Sequence, residues 1–126
     1  MANANKEQAL QEFFEGFGWP VYDEGTIPDG APLPRITYMM ASDSLDSPLS
    51  VTASLWDRSY SWKSVTEKKD EIAAYLYMMD PPTVPFTGGR IYIWPGKPFS
   101  QRMIEASDGM IRRLYLNFEV EYFSAY

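Results

Sequence analysis

The spacing of apolar and polar positions along the chain switches between helical and strand periods, and each switch marks a change of element type. In "ANKEQALQEFFEGFG", residues 4–18, Ala9, Leu10, Phe13, Phe14 and Phe17 recur at helical spacing among acidic and amide residues, which predicts an amphipathic helix of about 12 residues starting near Lys6. Gly16 and Gly18 are its natural terminators. The next fifteen residues, "PVYDEGTIPDGAPLP" (20–34), hold four prolines that leave few backbone donors for a ladder, so a surface loop is expected there. In "RITYMMAS" (35–42), Ile36, Tyr38 and Met40 alternate with Thr37 and Met39, and in "LSVTASLWDRS" (49–59), Val51, Ala53 and Leu55 alternate with Thr52, Ser54 and Trp56. The two read as strands of one hairpin, with "DSLDSP" as its turn.

After Tyr60 the period returns to that of a helix. Trp62, Val65, Ile72, Leu76 and Met79 fall on one face of "SWKSVTEKKDEIAAYLYMM" (61–79), while Lys68, Asp70 and Glu71 lie elsewhere. Ser64 and Glu67 have capping-box spacing, with Ser61 as an alternative start one turn earlier, and the helix should end before Pro81-Pro82. "PPTVPFTGG" reads as a connection closed by a Gly88-Gly89 turn. Beyond it, Arg90–Trp94 reads as a short strand, Pro95-Gly96 as a type II turn, and Lys97–Met103 as an extended return, together a hairpin. "EASDGM" is a further turn. In "IRRLYLNFEVEYFSAY" (111–126), Leu114, Leu116, Phe118, Val120 and Tyr122 make an apolar face, and Arg113, Tyr115, Asn117, Glu119, Glu121 and Phe123 make a mixed face expected to meet solvent near a subunit boundary. The whole predicts a single α+β domain over residues 1–126, a mostly antiparallel sheet with two helices packed on one face.

Composition narrows the chemistry. The chain of 126 residues is 45% hydrophobic and 16% aromatic, rich enough in rings that some can face partners rather than the core. It contains neither cysteine nor histidine, which removes thiol nucleophiles, imidazole bases, Cys/His zinc sites and disulfides together. No signal-peptide pattern and no membrane-spanning apolar run is present, so a soluble, unexported protein is expected. "GGRIYIWPGKPFSQRM" (88–103) has glycines, a Gly-Lys pair and a serine, but a phosphate loop needs glycine where Ile91 stands and Ser or Thr where Pro98 stands. Asp43 and Asp46 fit turn chemistry better than a calcium loop, and Glu119 and Glu121 on one strand do not face each other across a cleft. No cofactor, metal or catalytic residue is expected, and the protein is read as a non-enzyme.

The net charge of −6 is unevenly spread. Residues 1–89 carry six basic and thirteen acidic side chains, whereas 90–113 carry Arg90, Lys97, Arg102, Arg112 and Arg113 against Glu105 and Asp108. This basic segment in an acidic protein is expected to be either a solvated face or a patch for an acidic surface, including that of another copy of the chain. Lys63, Lys68 and Lys69 are nearly cancelled by neighbouring acids, which argues against tight DNA binding. The surplus of Tyr, Trp and Arg points to protein contacts. The candidate partner-binding residues are Trp56, Arg58, Trp94, Lys97, Arg102, Arg112, Arg113 and Phe123, with Tyr60, Tyr115 and Tyr126 in the same class.

The ordered series "PRITYMMASDSLDSP", "VTASLWDRSYSWKSVTEKKDEIAAYL", "GGRIYIWPGKPFSQRM" and "DGMIRRLYLNFEVEYFSAY", covering roughly residues 19–126, resembles the small tail-completion proteins of long-tailed bacteriophages, also called tail-to-head joining or tail terminator proteins. The resemblance implies a small α+β subunit of a ring, typically a homo-hexamer, at the head-proximal end of the tail. It also implies tail tube protein and head connector protein as partners, DNA only as passing cargo, and a place in the virion after assembly in the host cytoplasm. The family offers no catalytic residue to carry over. In such a ring the basic segment of one subunit, Arg102 and Arg112 included, would meet an acidic face of its neighbour, and "PVYDEGTIPDGAPLP" and "PPTVPFTGG" would be loops that order on assembly. Another head-tail connector or minor capsid component is the alternative within the same class, and a small-ligand enzyme using carboxylates or tyrosines is the alternative outside it.

Overall fold

The computed structural model describes residues 5–42, 49–78, 83–104 and 109–124. The predicted turn at 43–48 with Asp43 and Asp46, the end of the second helix at Met79 with Pro81-Pro82, Glu105 and Asp108, and Tyr126 lie outside them. The elements run α1 (Lys6–Glu15), β1 (Val21–Asp23), a 3-10 turn (Glu24–Thr26), β2 (Arg35–Ser42), β3 (Leu49–Arg58), α2 (Lys63–Met78), β4 (Thr83–Phe86), β5 (Gly89–Ile104) and β6 (Ile111–Ser124). The six strands form one sheet in the order β1-β2-β3-β6-β5-β4, antiparallel except for the β1–β2 pair. This is the expected α+β class.

Helix α1 starts with a signal that the hydrophobic pattern did not reveal. The Asn5 side chain accepts from the Gln8 backbone N–H at 2.8 Å while the Gln8 side chain accepts from the Asn5 N–H at 3.0 Å, a capping box that satisfies two otherwise orphaned donors. At its other end Gly18 takes a φ of 89° and lets the chain leave the helix. Helix α2 begins at Lys63, so Ser64 lies inside the helix and not at its N-cap, and the start falls nearer the alternative at Ser61. The Ser64 hydroxyl instead donates to Asp57 Oδ2 on β3 at 2.6 Å, and the Lys63 N–H reaches Ser61 Oγ at 3.3 Å.

Both helices cover the same sheet face. Ala9, Leu10, Phe14 and Phe17 from the α1 segment and Val65, Ile72 and Leu76 from α2 are buried with Ile36, Tyr38, Val51, Ala53, Leu55, Ile91, Ile93, Leu114, Leu116, Phe118 and Val120 from the strands. Phe14 lies 5.6 Å from both Tyr38 and Phe118, so one ring locks α1 onto two strands that are not neighbours. Tyr75 meets Phe13 and Phe17 edge-on or tilted at 6.0 and 5.6 Å and ties the helices to each other. Every apolar position that alternation assigned to the inner face of β3 and β6 is there, since period-2 patterning is insensitive to which strand lies alongside.

Three expectations are corrected. The proline-rich stretch 20–34 is not all loop, because its prolines fall outside Val21–Asp23 and leave those donors free to pair with Ile36–Tyr38. "TVPF" is not a connection but edge strand β4, where Pro85 is tolerated because one side of the strand has no partner strand. The two segments named as loops that order on assembly therefore contain the two outermost strands of the sheet. Finally, Pro95-Gly96 does not reverse the chain. Strand β5 continues beside β6 for its whole length, with a bulge in which β5 advances from Pro95 to Ser100 while β6 retreats only from Phe118 to Leu116. Gly96 lies so close to β6 that a Cβ there would stand 2.9 Å from Asn117 Cβ and 3.0 Å from its carbonyl oxygen. Asn117 Nδ2 donates to the Pro98 carbonyl at 3.1 Å and bridges the interrupted ladder.

Candidate interaction surface

Among the described residues, both helices pack on one face of the sheet and neither covers the other face. Alternation carries to it Arg35 and Met39 from β2, Thr52, Trp56 and Arg58 from β3, Arg113, Tyr115, Asn117, Glu119, Glu121 and Phe123 from β6, and Arg90, Tyr92 and Trp94 from β5. Five of the eight sequence-predicted contact residues therefore share this face: Trp56, Arg58, Trp94, Arg113 and Phe123.

At one end the face is built around Trp56. Its ring lies between two guanidinium groups, Arg113 at 4.6 Å and Arg35 at 5.4 Å from the ring centroid. Trp56 Nε1 donates to Thr37 Oγ1 at 2.8 Å, and the Thr37 hydroxyl in turn donates to Glu24 Oε1 at 2.8 Å. Arg113 Nε donates to Ser54 Oγ at 3.0 Å. Thr37 and Ser54 are the two buried polar side chains among the described residues, and both are satisfied by this network. The result is a half-buried indole fixed in place and flanked by positive charge, with exposed Arg58 two positions further along β3 and Arg35 NH1 tied to the Ala31 carbonyl at 3.1 Å. The sequence pattern missed Arg35, Thr37, Ser54 and Glu24. Arg35 is separated from Trp56 in the chain, and only the register Arg35↔Trp56 brings them together.

At the other end Tyr92 stacks on Trp94 at 6.0 Å and meets the Phe123 ring edge-on at 5.1 Å. Glu119 and Glu121 stand opposite Trp94 and Tyr92 in the register and are exposed. Lys97 sits on the bulge, where Tyr77, Trp94, Pro95, Gly96, Lys97, Phe99 and Glu119 line an open groove of about 630 Å³.

Arg102 and Arg112 are elsewhere. They stack on Trp62 at 4.7 and 5.6 Å, on the helix-bearing side at the start of α2, and Arg112 NH2 donates to the Tyr60 carbonyl at 3.1 Å. The basic segment 90–113 thus does not form one patch. Its arginines alternate between faces, and the bulge adds a further inversion, because three extra residues, an odd number, move Arg102 to the side opposite Trp94.

Burial pushes the Tyr38 phenol above its usual range, with Asp23, Glu7 and Glu15 adding to the effect. Among the described residues, no three His, Cys, Asp or Glu side chains converge to hold a metal, and no helix is long and apolar enough to cross a membrane. No protein-family model matches the chain, and no curated protein matches it significantly.

Proposed function

We propose that this chain is a structural subunit of a phage virion, a tail-completion protein that assembles as a ring, typically a hexamer, at the head-proximal end of the tail and joins tail tube to head connector. The observation that carries the reading is the one-sided sheet, whose face away from the helices gathers aromatic rings and arginines in a rigid setting. Trp56 between Arg35 and Arg113 supplies the residue types that dominate protein interfaces, already ordered before any partner arrives. Exposed Ile104 and Tyr60, at 91% and 88% accessibility, add apolar surface at the end of the sheet near Trp62. The acidic balance of the whole chain suits a ring through which DNA passes without being gripped.

In this reading the protein performs no chemistry and carries no cofactor. It works in the virion after assembly in the host cytoplasm. Native mass spectrometry of the purified chain should give a single closed oligomer. Electron microscopy with isolated tail tubes should then place that oligomer at one end of the tube. A protein that stays monomeric and leaves tubes unchanged would remove the proposal.

A further inference from the structure

Two local patches of opposite charge lie on opposite sides of the sheet, one on α1 and one around Trp56. On α1 the outward positions Glu7, Glu12 and Glu15 are all exposed, and they share a polar arc with Gln8 and Gln11. The only basic residue of α1, Lys6, is turned away from that arc, its ammonium 3.5 Å from the centre of the Tyr122 ring and 5.9 Å from that of Phe86. Gln11 Nε2 donates to Glu15 Oε2 at 3.0 Å and to the Val21 carbonyl at 3.0 Å, which steadies the carboxylate without neutralising it. Lys68, beyond the C-terminal end of α1, is occupied by the Phe17 carbonyl and by Glu71 at 2.9 Å. Through the sheet, on the face that α1 does not cover, Arg35 and Arg113 flank Trp56, Arg58 stands two positions further along β3, and Glu24 lies at the edge.

We propose that the acidic outer face of α1 in one subunit seats on the Trp56 arginine patch of the next copy of the same chain. This rests on the ring reading and adds which surfaces meet. Dimensions agree. From Glu7 to Glu15 the helix rises about 12 Å, and the patch spans three adjacent strands, β2, β3 and β6, whose outer two are about 10 Å apart. The two surfaces lie on opposite sides of the subunit, so their contact is heterologous and propagates head to tail, the relation that closes into a ring when the rotation permits. The hydrogen-bonded indole gives the patch a rigid centre, while the arginines around it steer and orient the incoming helix.

Two charge-reversed proteins test this. One carries Arg58→Glu and Arg113→Glu; the other carries Glu7→Lys, Glu12→Lys and Glu15→Lys. Because Arg113 supports Trp56 and Ser54 and Arg58 has contacts of its own, the single reversals Arg58→Glu and Arg113→Glu are prepared alongside, and circular dichroism with thermal melting establishes that each protein is folded. Native mass spectrometry and light scattering should show the wild-type oligomer weakening as salt is raised. Each reversed protein should associate on the order of tenfold more weakly, or not at all. An equimolar mixture should reassemble, since the doubly acidic and doubly basic subunits can alternate. If both reversed proteins assemble as the wild type does, or their mixture stays apart, the pairing is wrong while the ring reading stands. A wild-type chain that is monomeric at every concentration would instead remove the ring reading, and the pairing with it. A short DNA duplex is the control ligand: if the arginine reversal abolishes duplex binding but leaves assembly intact, the patch serves nucleic acid and the proposal fails.

Discussion

Two tryptophans in this protein each gather two arginines, at nearly the same distances, for different ends. Trp56 has Arg113 at 4.6 Å and Arg35 at 5.4 Å; Trp62 has Arg102 at 4.7 Å and Arg112 at 5.6 Å. Arg112 and Arg113 are neighbours in sequence and serve opposite faces, because successive strand residues must. Around Trp62 the arginines join the start of α2 to the end of the sheet, and the nearby Ser64–Asp57 hydrogen bond makes the same connection. Around Trp56 they flank an indole on the face that neither helix covers. Stacked Arg–Trp pairs are therefore not in themselves a sign of an interface. What distinguishes them is the side of the sheet: Trp62 is packed against the hydrophobic core, whereas Trp56, half-buried as well, lies on the face away from the helices.

The strongest challenge to this comparison is to disturb the bulge that separates the two clusters. Gly96→Val should destabilise the fold by about 2–4 kcal/mol, because a side chain there meets the Asn117 backbone rather than a movable group. Urea denaturation followed by tryptophan fluorescence measures it. Trp62→Ala and Trp56→Ala come next, each with a stability loss of about 2–3 kcal/mol for a partly buried indole. They should differ in kind. Trp62→Ala should leave the oligomer intact at temperatures where the chain is folded, whereas Trp56→Ala should weaken association as well, as sedimentation velocity on the folded proteins will show. Equal effects on assembly would erase the distinction between the clusters.

A finer probe is Trp56→Phe, which keeps a ring for the arginines but removes the donor to Thr37. It should cost about 1 kcal/mol, the net worth of one hydrogen bond. Arg102→Ala should cost less than about 1 kcal/mol, because its guanidinium stacks on Trp62 from an exposed position. The smallest effect is that of pH. The Tyr38 phenol is held neutral by burial, so its folded-state pKa lies above the unfolded value near 10. The fold gains this stabilisation in full below pH 10 and loses it as pH rises through the folded value, because the unfolded chain ionises first. Tyr38→Phe should flatten the fall in unfolding free energy above pH 10; an unchanged slope would show that other groups set it.

Much of the architecture was legible from local patterns. Ile36 and Tyr38, Val51 through Leu55, and Leu114 through Val120 announce inner faces by period-2 alternation, and the α1 and α2 stripes do so at helical period. Strand β1 was hidden because three residues are too few to show a period. Strand β4 was hidden because a proline sits in it and only its position at the sheet edge makes that acceptable. For the candidate surface, residue types were the signal for Trp56, Arg58, Trp94, Arg113 and Phe123. Arg35, Thr37 and Ser54 had none, since a polar residue on an outward strand position looks the same whether or not an indole covers it.

By itself, then, the sequence determined the α+β class, the residues that enter the core, and which neighbours within one strand point apart, because these follow from backbone geometry over a few residues. Only the tertiary structure decided where the arginines meet their tryptophans. That depends on register against a distant strand and on the number of residues that β5 skips between Pro95 and Ser100. A skip of odd length exchanges the two faces for everything that follows. The stretch "WPGKPFS" does not show that length on its own; it becomes visible only against β6, where Gly96 lies close to Asn117 and Ser100 resumes pairing with Leu116.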